Sequence, residues 1–218
     1  MQIAIPIFDR LTALDAVGPY EVLSRVPGAT VTFVAQEPGM KRTETNMLGL
    51  SADVAMDDLT EPDIFVIPGG YGTRGLIHDE HFIGWVQHAH EHSQWSTSVC
   101  TGSLVLAAAG ILDGLDATTH WLSYDLLQKL GAKPTAQRVV EQGKVITAAG
   151  VSSGIDMALT LVTHIAGDDV AKAIQLGIEY DPQPPFNCGS PAKAGDRLVE
   201  LVTHVERSEQ AALEAASS

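Results

Sequence analysis

The residue of this chain with the clearest chemical potential is Cys100, which lies where two differently patterned segments meet. Residues 95–99 are mostly β-branched or small and predict a short buried strand, whereas the Leu- and Ala-rich residues 104–110 predict a helix that ends at a glycine. A strand that turns into a helix within one residue strains the corner residue and directs its side chain over the sheet edge. We therefore interpret Cys100 as a nucleophile.

The surroundings of Cys100 favour this interpretation over that of a buried, unreactive cysteine. Ser98 and Gly102, two residues before and after it, are small, as a tight corner requires. A helix start also supplies free N–H groups and the positive end of the helix dipole, which both favour a thiolate. We expect the Cys100 thiol to be ionised.

A reactive thiolate needs an anion-stabilising pocket and a partner for proton transfer. The backbone N–H groups of Gly70, in a glycine turn, and of Thr101, at the helix start, are candidates for the pocket. Asp15 lies in an apolar segment, where burial would raise the pKa of a carboxyl group and suit it to proton transfer. Glu21 is a rival acid, and His120 would give an ordinary Cys–His pair. The residues alone leave these three partners open.

The other histidines and the second cysteine carry weaker signals. His88, His90 and His92 alternate along a predicted helix, but no Cys or Asp accompanies them at a matching spacing. We interpret them as surface residues and predict no metal site. Cys188 lies in a loop and is interpreted as structural.

Composition limits the possible classes of protein. The chain has 218 residues, 45% of them hydrophobic and 18% charged, which fits a compact fold with a full core. A formal charge of −14 opposes binding to nucleic acid or to an anionic membrane. Two cysteines make no disulfide framework, so we expect a reducing, cytoplasmic environment. The first residues lack the basic region of a signal peptide, and no apolar run is long enough to span a bilayer.

The order of predicted elements indicates an α/β fold. Apolar strands near residues 3–8, 30–35 and 63–67 alternate with helices, which predicts a parallel sheet with helices on both faces. We expect Gly18-Pro19 to interrupt the first helix and residues 42–53 to form an edge hairpin. Ligands bind at the carboxyl ends of the strands in such sheets, so the glycine-rich loops there, including residues 150–154, are expected to converge.

These motifs together resemble the DJ-1/PfpI superfamily, and within it most closely the isocyanide hydratases. The resemblance extends from Ile3 to about Pro191. It rests on the Leu14–Pro19 loop, Ile67–Gly70, Ser98–Ser103, Ala117–Trp121, Gly154–Asp156 and Glu179–Asn187.

The resemblance implies a flavodoxin-like sandwich, also found in class I glutamine amidotransferases. We expect one domain over residues 1–218, with a core at 1–191 and a C-terminal helix and tail at 192–218. It also implies a homodimer with no metal or organic cofactor.

The implied reaction adds water to a small apolar isocyanide and gives an N-substituted formamide. Cys100 would attack the isocyanide carbon to form a thioimidate, and Asp15 would donate a proton and then activate water. Thr101 and Gly70 would orient these groups. The remaining candidates, expected to line the substrate pocket, are Gly150, Val151, His120, Trp121 and Tyr180. Ala148-Ala149 stands where a more glycine-rich turn is usual in this branch, which bears on pocket shape.

Other members of the superfamily supply alternatives. A peptidase would have a histidine directly after the corner cysteine, where this chain has Thr101. A glyoxalase- or deglycase-like enzyme would use a glutamate on the helix near Asp15, for which Glu21 is available. A non-catalytic ligand sensor would need a helix-turn-helix region, for which the segment after about residue 191 is too short and too acidic. A sensor that responds to oxidation of Cys100 is compatible with catalysis.

Overall fold

The computed structural model describes residues 1–215, and its centre is a seven-stranded sheet. The expected tail therefore lies partly outside the described residues, at 216–218. The strands of the whole chain, numbered in chain order, are β1 (Gln2–Pro6), β2 (Thr30–Ala35), β3 (Gly39–Arg42), β4 (Gly49–Ala52), β5 (Val54–Ala55), β6 (Ile64–Ile67), β7 (Trp95–Val99), β8 (Asp116–Ala117), β9 (Lys133–Pro134), β10 (Val139–Gln142) and β11 (Val145–Ala148). The central sheet has the order β10-β11-β7-β6-β1-β2-β5, and of its described pairs only β10 with β11 is antiparallel.

Helices flank this sheet in two groups. They are α1 (Ala13–Leu23), α2 (Thr73–Leu76), α3 (Glu80–His92), α4 (Gly102–Ala108), α5 (Tyr124–Lys129), α6 (Ser153–Ala166), α7 (Asp168–Gly177), α8 (Pro191–Ala194) and α9 (Asp196–Ala215). Helix α6 packs against α1 and α7, whereas α4 packs against α2, α3 and α5. The predicted flavodoxin-like α/β sandwich is confirmed.

The core is centred on the middle strands. Strand β6 is buried along its whole length, as are Ile3 to Pro6 of β1. Strands covered on both faces lose alternation of apolar and polar residues, which is why they are recognisable as continuous apolar runs in the sequence. This rigid centre places the carboxyl ends of β6 and β7 side by side, since Ile67 pairs with Ser98.

Two sequence-based expectations change in detail. The predicted hairpin is the antiparallel pair of β3 and β4, a separate two-stranded sheet that begins at Gly39 rather than at residue 42. The expected interruption at Gly18-Pro19 is wrong, because α1 continues through both residues to Leu23. An added Cβ at Gly18 would lie 3.2 Å from Ile155 Cγ1, and one at Gly154 would lie 3.2 Å from Pro19 Cγ. Packing against α6 at this short distance stabilises a helix that local propensity disfavours.

The contacts divide the chain into two compact units, Met1–Glu179 and Tyr180–Ser218. The first contains the whole central sheet, and the second contains α8 and α9. The boundary between these units follows Glu179, and the expected division at residue 191 stays a prediction. That the two units act as one functional domain stays a prediction. In the described part of the chain, no helix combines the length and the apolar character needed to cross a bilayer.

Candidate active site

Cys100 and Thr101 form the two-residue corner between β7 and α4, so the expected join of one residue is wrong in this detail. The φ of Cys100 is +56°, a left-handed value that is costly for a residue with a side chain. The corner is held on both sides. The Cys100 N–H is directed at the carbonyl oxygens of Ala148 and Ala149, each at 3.0 Å, and the hydroxyl groups of Ser103 and Thr119 donate to its carbonyl oxygen at 3.1 and 3.0 Å. The side chain is therefore directed by the surrounding fold rather than by its own conformational preference.

Gly102 allows the helix to begin this close to the sheet. A Cβ at this position would collide with the carbonyl oxygen of Ile67, at the end of β6. The small residue expected two positions after the cysteine is thus required by the neighbouring strand, and it brings the start of α4 against the loop that follows β6.

Asp15 lies in the first turn of α1 and is completely buried. Its Oδ2 accepts a hydrogen bond of 2.9 Å from the N–H of Gly69, in the glycine loop after β6. Among the described residues, Oδ1 has no hydrogen-bond partner. This oxygen is therefore available to the Cys100 thiol, to a ligand or to a proton in transfer.

Thr101 and Gly70 join the corner to the same glycine loop. The Gly70 N–H donates to Thr101 Oγ1 at 2.9 Å, and the Thr101 hydroxyl is placed to donate to the Gly70 carbonyl oxygen at 3.2 Å. The Gly70 N–H is therefore occupied in this structure by Thr101. Its expected part in an anion-stabilising pocket stays a prediction. Gly70 has φ +127°, which explains the requirement for glycine at this turn.

The carboxyl group of Asp15 has an unusually high pKa, raised from 3.8 to about 7. Burial is the largest cause, since it disfavours the charged form. The hydrogen bonds from the Gly69 N–H and from the Cys100 thiol lower the pKa, and the negative charge of Glu44 raises it. The expected rise in the pKa of Asp15 is confirmed.

The expectation of an ionised thiol is not supported. Burial raises the pKa of Cys100 well above its ordinary value, and the charge of Asp15 raises it further. The N–H groups of Val151 and Thr101 act in the opposite direction, toward a thiolate, but they do not outweigh burial. Burial therefore favours the neutral thiol beside Asp15, whose carboxyl group can take its proton.

Two of the groups that surround Cys100 and Asp15 were not identified from the sequence. Val151 was expected only as an apolar wall, yet its N–H reaches the sulfur from a turn in which φ of this residue is +31°. Glu44 lies between β3 and β4 and accepts a hydrogen bond of 3.0 Å from Thr12. No local pattern connects Glu44 to Asp15, so only the fold could reveal it. For Val151, the small-residue turn before α6 was a usable signal.

The remaining predicted site residues fall into two sets. His120 lies against Gly150, since an added Cβ there would be 2.7 Å from His120 Cδ2, and its ring centroid is 5.8 Å from that of Trp121. These residues and Val151 are all only partly buried. Tyr180 begins the C-terminal unit, and its part in the pocket stays a prediction.

The rival acid Glu21 lies elsewhere. It is exposed and forms an ion pair of 2.7 Å with Arg25 on the same helix. Among the described residues, no group of three or more potential metal ligands includes Cys100 or Asp15. The absence of a metal from the reaction stays a prediction.

Comparison with known proteins identifies the family. The DJ-1/PfpI family matches residues 1–164. The chain belongs to the DJ-1/PfpI family. Among DJ-1/PfpI relatives, an isonitrile hydratase of Pseudomonas putida is 40% identical over 200 residues, which cover 92% of this chain and 87% of that protein. The crystal structure of a ThiJ/PfpI family protein from Pseudomonas syringae matches with a TM-score of 0.91 and 32% identity, covering 96% of this chain and 87% of the other.

The chain is also similar to part of a larger protein. The HTH-type transcriptional regulator CdhR of Pseudomonas aeruginosa is 27% identical over 170 residues, which cover 77% of this chain and 50% of the regulator. This chain therefore matches only about half of that regulator.

Proposed function

We propose that this protein is an isocyanide hydratase, which adds water to an isocyanide to give an N-substituted formamide. The observation that carries the proposal is the placement of the buried Asp15 carboxyl group at the Cys100 thiol, with two backbone N–H groups also directed at the sulfur. The 40% identity to an isonitrile hydratase supports this substrate class, because isonitrile and isocyanide are names of the same functional group.

The first half of the reaction forms a covalent intermediate. The thiol proton passes to Asp15 as sulfur attacks the terminal carbon of the isocyanide. Asp15 then delivers that proton to the same carbon, which gives a thioimidate bound to Cys100. The N–H groups of Val151 and Thr101 stabilise negative charge on the sulfur while it attacks. The sulfur and the hydrogen of the thiol therefore both add to the isocyanide carbon, and Asp15 returns to its carboxylate form.

The second half consumes one water molecule. Asp15 removes a proton from water, and the oxygen adds to the thioimidate carbon. The C–S bond then breaks, the nitrogen gains one hydrogen and the sulfur regains the other through Asp15. The formamide leaves, and the thiol and carboxylate are restored. One buried carboxyl group with a pKa near 7 can act as both acid and base at neutral pH.

The remaining predicted residues have supporting roles in this proposal. Thr101 and Gly70 position each other and, through the glycine loop, Asp15. Gly150, Val151, His120 and Trp121 line the space for the substituent of a small apolar isocyanide, and the expected part of Tyr180 stays a prediction. The proposal includes no cofactor, assembly as a homodimer and a cytoplasmic location, as the family resemblance and the cysteine content led us to expect.

The glyoxalase-like alternative has less support from the geometry. It requires a glutamate beside the cysteine, and Glu21 is exposed and paired with Arg25. A sensor without turnover remains an alternative for the family, and a turnover assay separates it from an enzyme.

The deciding experiment combines turnover and intact mass. The purified protein should convert a simple alkyl or aryl isocyanide to its formamide, followed by proton NMR, and a rapidly quenched reaction should show the mass of one isocyanide added at Cys100. Cys100→Ala should abolish both signals. The matched control is Cys188→Ala, because Cys188 is the second free cysteine of the chain, is exposed, and has no part in the proposed mechanism, so its loss should leave turnover unchanged.

Two results would overturn the proposal. Full turnover by Cys100→Ala would remove the cysteine mechanism. Absence of isocyanide hydration, together with conversion of methylglyoxal to lactate, would favour the glyoxalase-like alternative.

A further inference from the structure

A cluster of metal-ligand side chains lies on the surface outside the proposed active site. His88 and His92 are on the last turns of α3, one helical turn apart, and Glu61 is in the loop before β6. The candidate ligand atoms of the three residues all lie within 4.8 Å of one another. We propose that Glu61, His88 and His92 form a binding site for a divalent first-row transition metal, for which Zn²⁺ is the best fit.

The fold explains why these three residues meet. Strands β6 and β7 are parallel neighbours, and Ile64 pairs with Trp95. Glu61 and His92 each lie three residues before one member of that pair. The loop before β6 and the end of α3 therefore arrive together at the amino edge of the sheet, and His88 follows because residues four apart share a helix face.

The spacing of the ligand atoms suits a tetrahedral ion. The Nε2 atoms of His88 and His92 lie 3.5 and 3.8 Å from Glu61 Oε1. Zinc bonds of about 2.0–2.1 Å in a tetrahedron place ligand atoms roughly 3.3 Å apart. Small side-chain rotations would close the difference. All three side chains are 42–59% exposed, so water can complete the coordination.

The protonation of His92 is also favourable. Its Nδ1 lies 2.9 Å from the backbone carbonyl oxygen of His88, and a carbonyl oxygen can only accept a hydrogen bond. Nδ1 must therefore carry the hydrogen, which leaves the lone pair of the neutral ring on Nε2, the atom that faces Glu61. Outer hydrogen bonds of this kind fix the tautomer of histidine ligands in metal sites.

His90 does not belong to the cluster, so the alternation of His88, His90 and His92 in the sequence does not mark the ligands. Its Nδ1 pairs with Ser96 Oγ at 2.8 Å, and its ring is more buried than those of its neighbours. The two proposed histidine ligands are His88 and His92, which lie four residues apart. The third ligand, Glu61, lies 27 residues before His88 in the sequence.

The site is separate from the proposed hydratase chemistry. Strand β7 begins three residues after His92 and ends at Val99, next to Cys100. Five strand residues at about 3.3 Å each place the two sites on opposite edges of the sheet. A bound ion would tie the end of α3 to the loop before β6, and its role would be structural.

The test is calorimetric titration of the full chain with ZnCl₂ alone, after removal of any affinity tag. A Cys188→Ser background removes the exposed thiol as a competing ligand. We expect about one equivalent to bind and to raise the unfolding temperature. His88→Ala and His92→Ala should each weaken binding at least tenfold. The matched control is His81→Ala, since His81 is an exposed histidine of α3 that pairs with Asp57 and should not affect binding.

Three results would overturn the proposal. They are no detectable binding by the parent protein, binding unchanged in both histidine variants, and binding that is lost in Cys100→Ala, which would place the metal at the thiol. Circular dichroism of each variant shows whether its fold is intact. Hydration of isocyanide by His88→Ala and His92→Ala should be unchanged, so that failure of the metal site and failure of the proposed enzyme activity are distinguishable.

Discussion

The N–H of Gly69 donates a 2.9 Å hydrogen bond to Oδ2 of Asp15, and this bond joins the loop after β6 to the first turn of α1. The same glycine lies against the helix start that carries Thr101, because a Cβ at position 69 would be 2.6 Å from the Thr101 nitrogen and 2.7 Å from Asp15 Oδ2. One residue without a side chain thus sets the spacing between the acid and the cysteine corner.

Gly69→Ala should therefore impair the site more than the fold. The added methyl group must displace either Asp15 or the start of α4, and we expect kcat/KM for isocyanide hydration to fall at least about tenfold. Steady-state kinetics, with thermal unfolding as a check on folding, measure this. Gly84→Ala is the control, because nothing lies within 4 Å of a Cβ there and alanine favours a helix interior by up to about 1 kcal/mol. Equal activity of the two variants would contradict our account of Gly69.

The pH dependence of turnover should follow the Asp15 carboxyl group. In the proposed mechanism it must be ionised to accept the thiol proton, and its pKa is about 7. We expect kcat/KM to rise between pH 5 and pH 8 with a midpoint near 7 and to level above it. A rate profile that is flat over this range would show that a different group controls the reaction.

Glu44 gives a second test of the same assignment. Its charge raises the pKa of Asp15, so Glu44→Gln should move the midpoint to lower pH while the amide still accepts the hydrogen bond from Thr12. Glu37→Gln, which removes an equal charge at an exposed position, should leave the midpoint in place.

The buried carboxyl group should also destabilise the folded protein at neutral pH. Because folding raises the pKa of Asp15, the folded state favours the protonated form. The penalty is absent below about pH 4, grows as pH rises and is complete above about pH 7. The difference between 3.8 and about 7 corresponds to roughly 4 kcal/mol.

Asp15→Asn removes that penalty and keeps an acceptor for the Gly69 N–H. We expect its free energy of unfolding to exceed that of the parent by a few kcal/mol at pH 8 and by much less at pH 4, with turnover lost. Urea unfolding at the two pH values measures the difference. A variant less stable than the parent at pH 8 would contradict the raised pKa.

The sequence predicted the parts of the site that depend on local pattern. Strand β7, the corner at Cys100 and the glycine after it follow from residue size and apolar runs, and Asp15 stood out as an acid among apolar residues. Glu44 and the Val151 N–H did not stand out in the sequence, because only tertiary packing brings them close to Asp15 and Cys100. The burial that works against the expected ionisation of Cys100 was not visible for a related reason. The helix start is visible in the sequence, whereas the depth of burial that outweighs it is not.

The left-handed backbone at Cys100 has a consequence for adaptation under heat. Glycine tolerates φ +56° without the penalty of order 1–3 kcal/mol that a residue with a side chain incurs. Selection of a variant library for thermal resistance alone should therefore enrich Cys100→Gly, and the selected variants would lack the thiol. Persistence of cysteine under such selection would reveal that the corner is less strained than its geometry indicates.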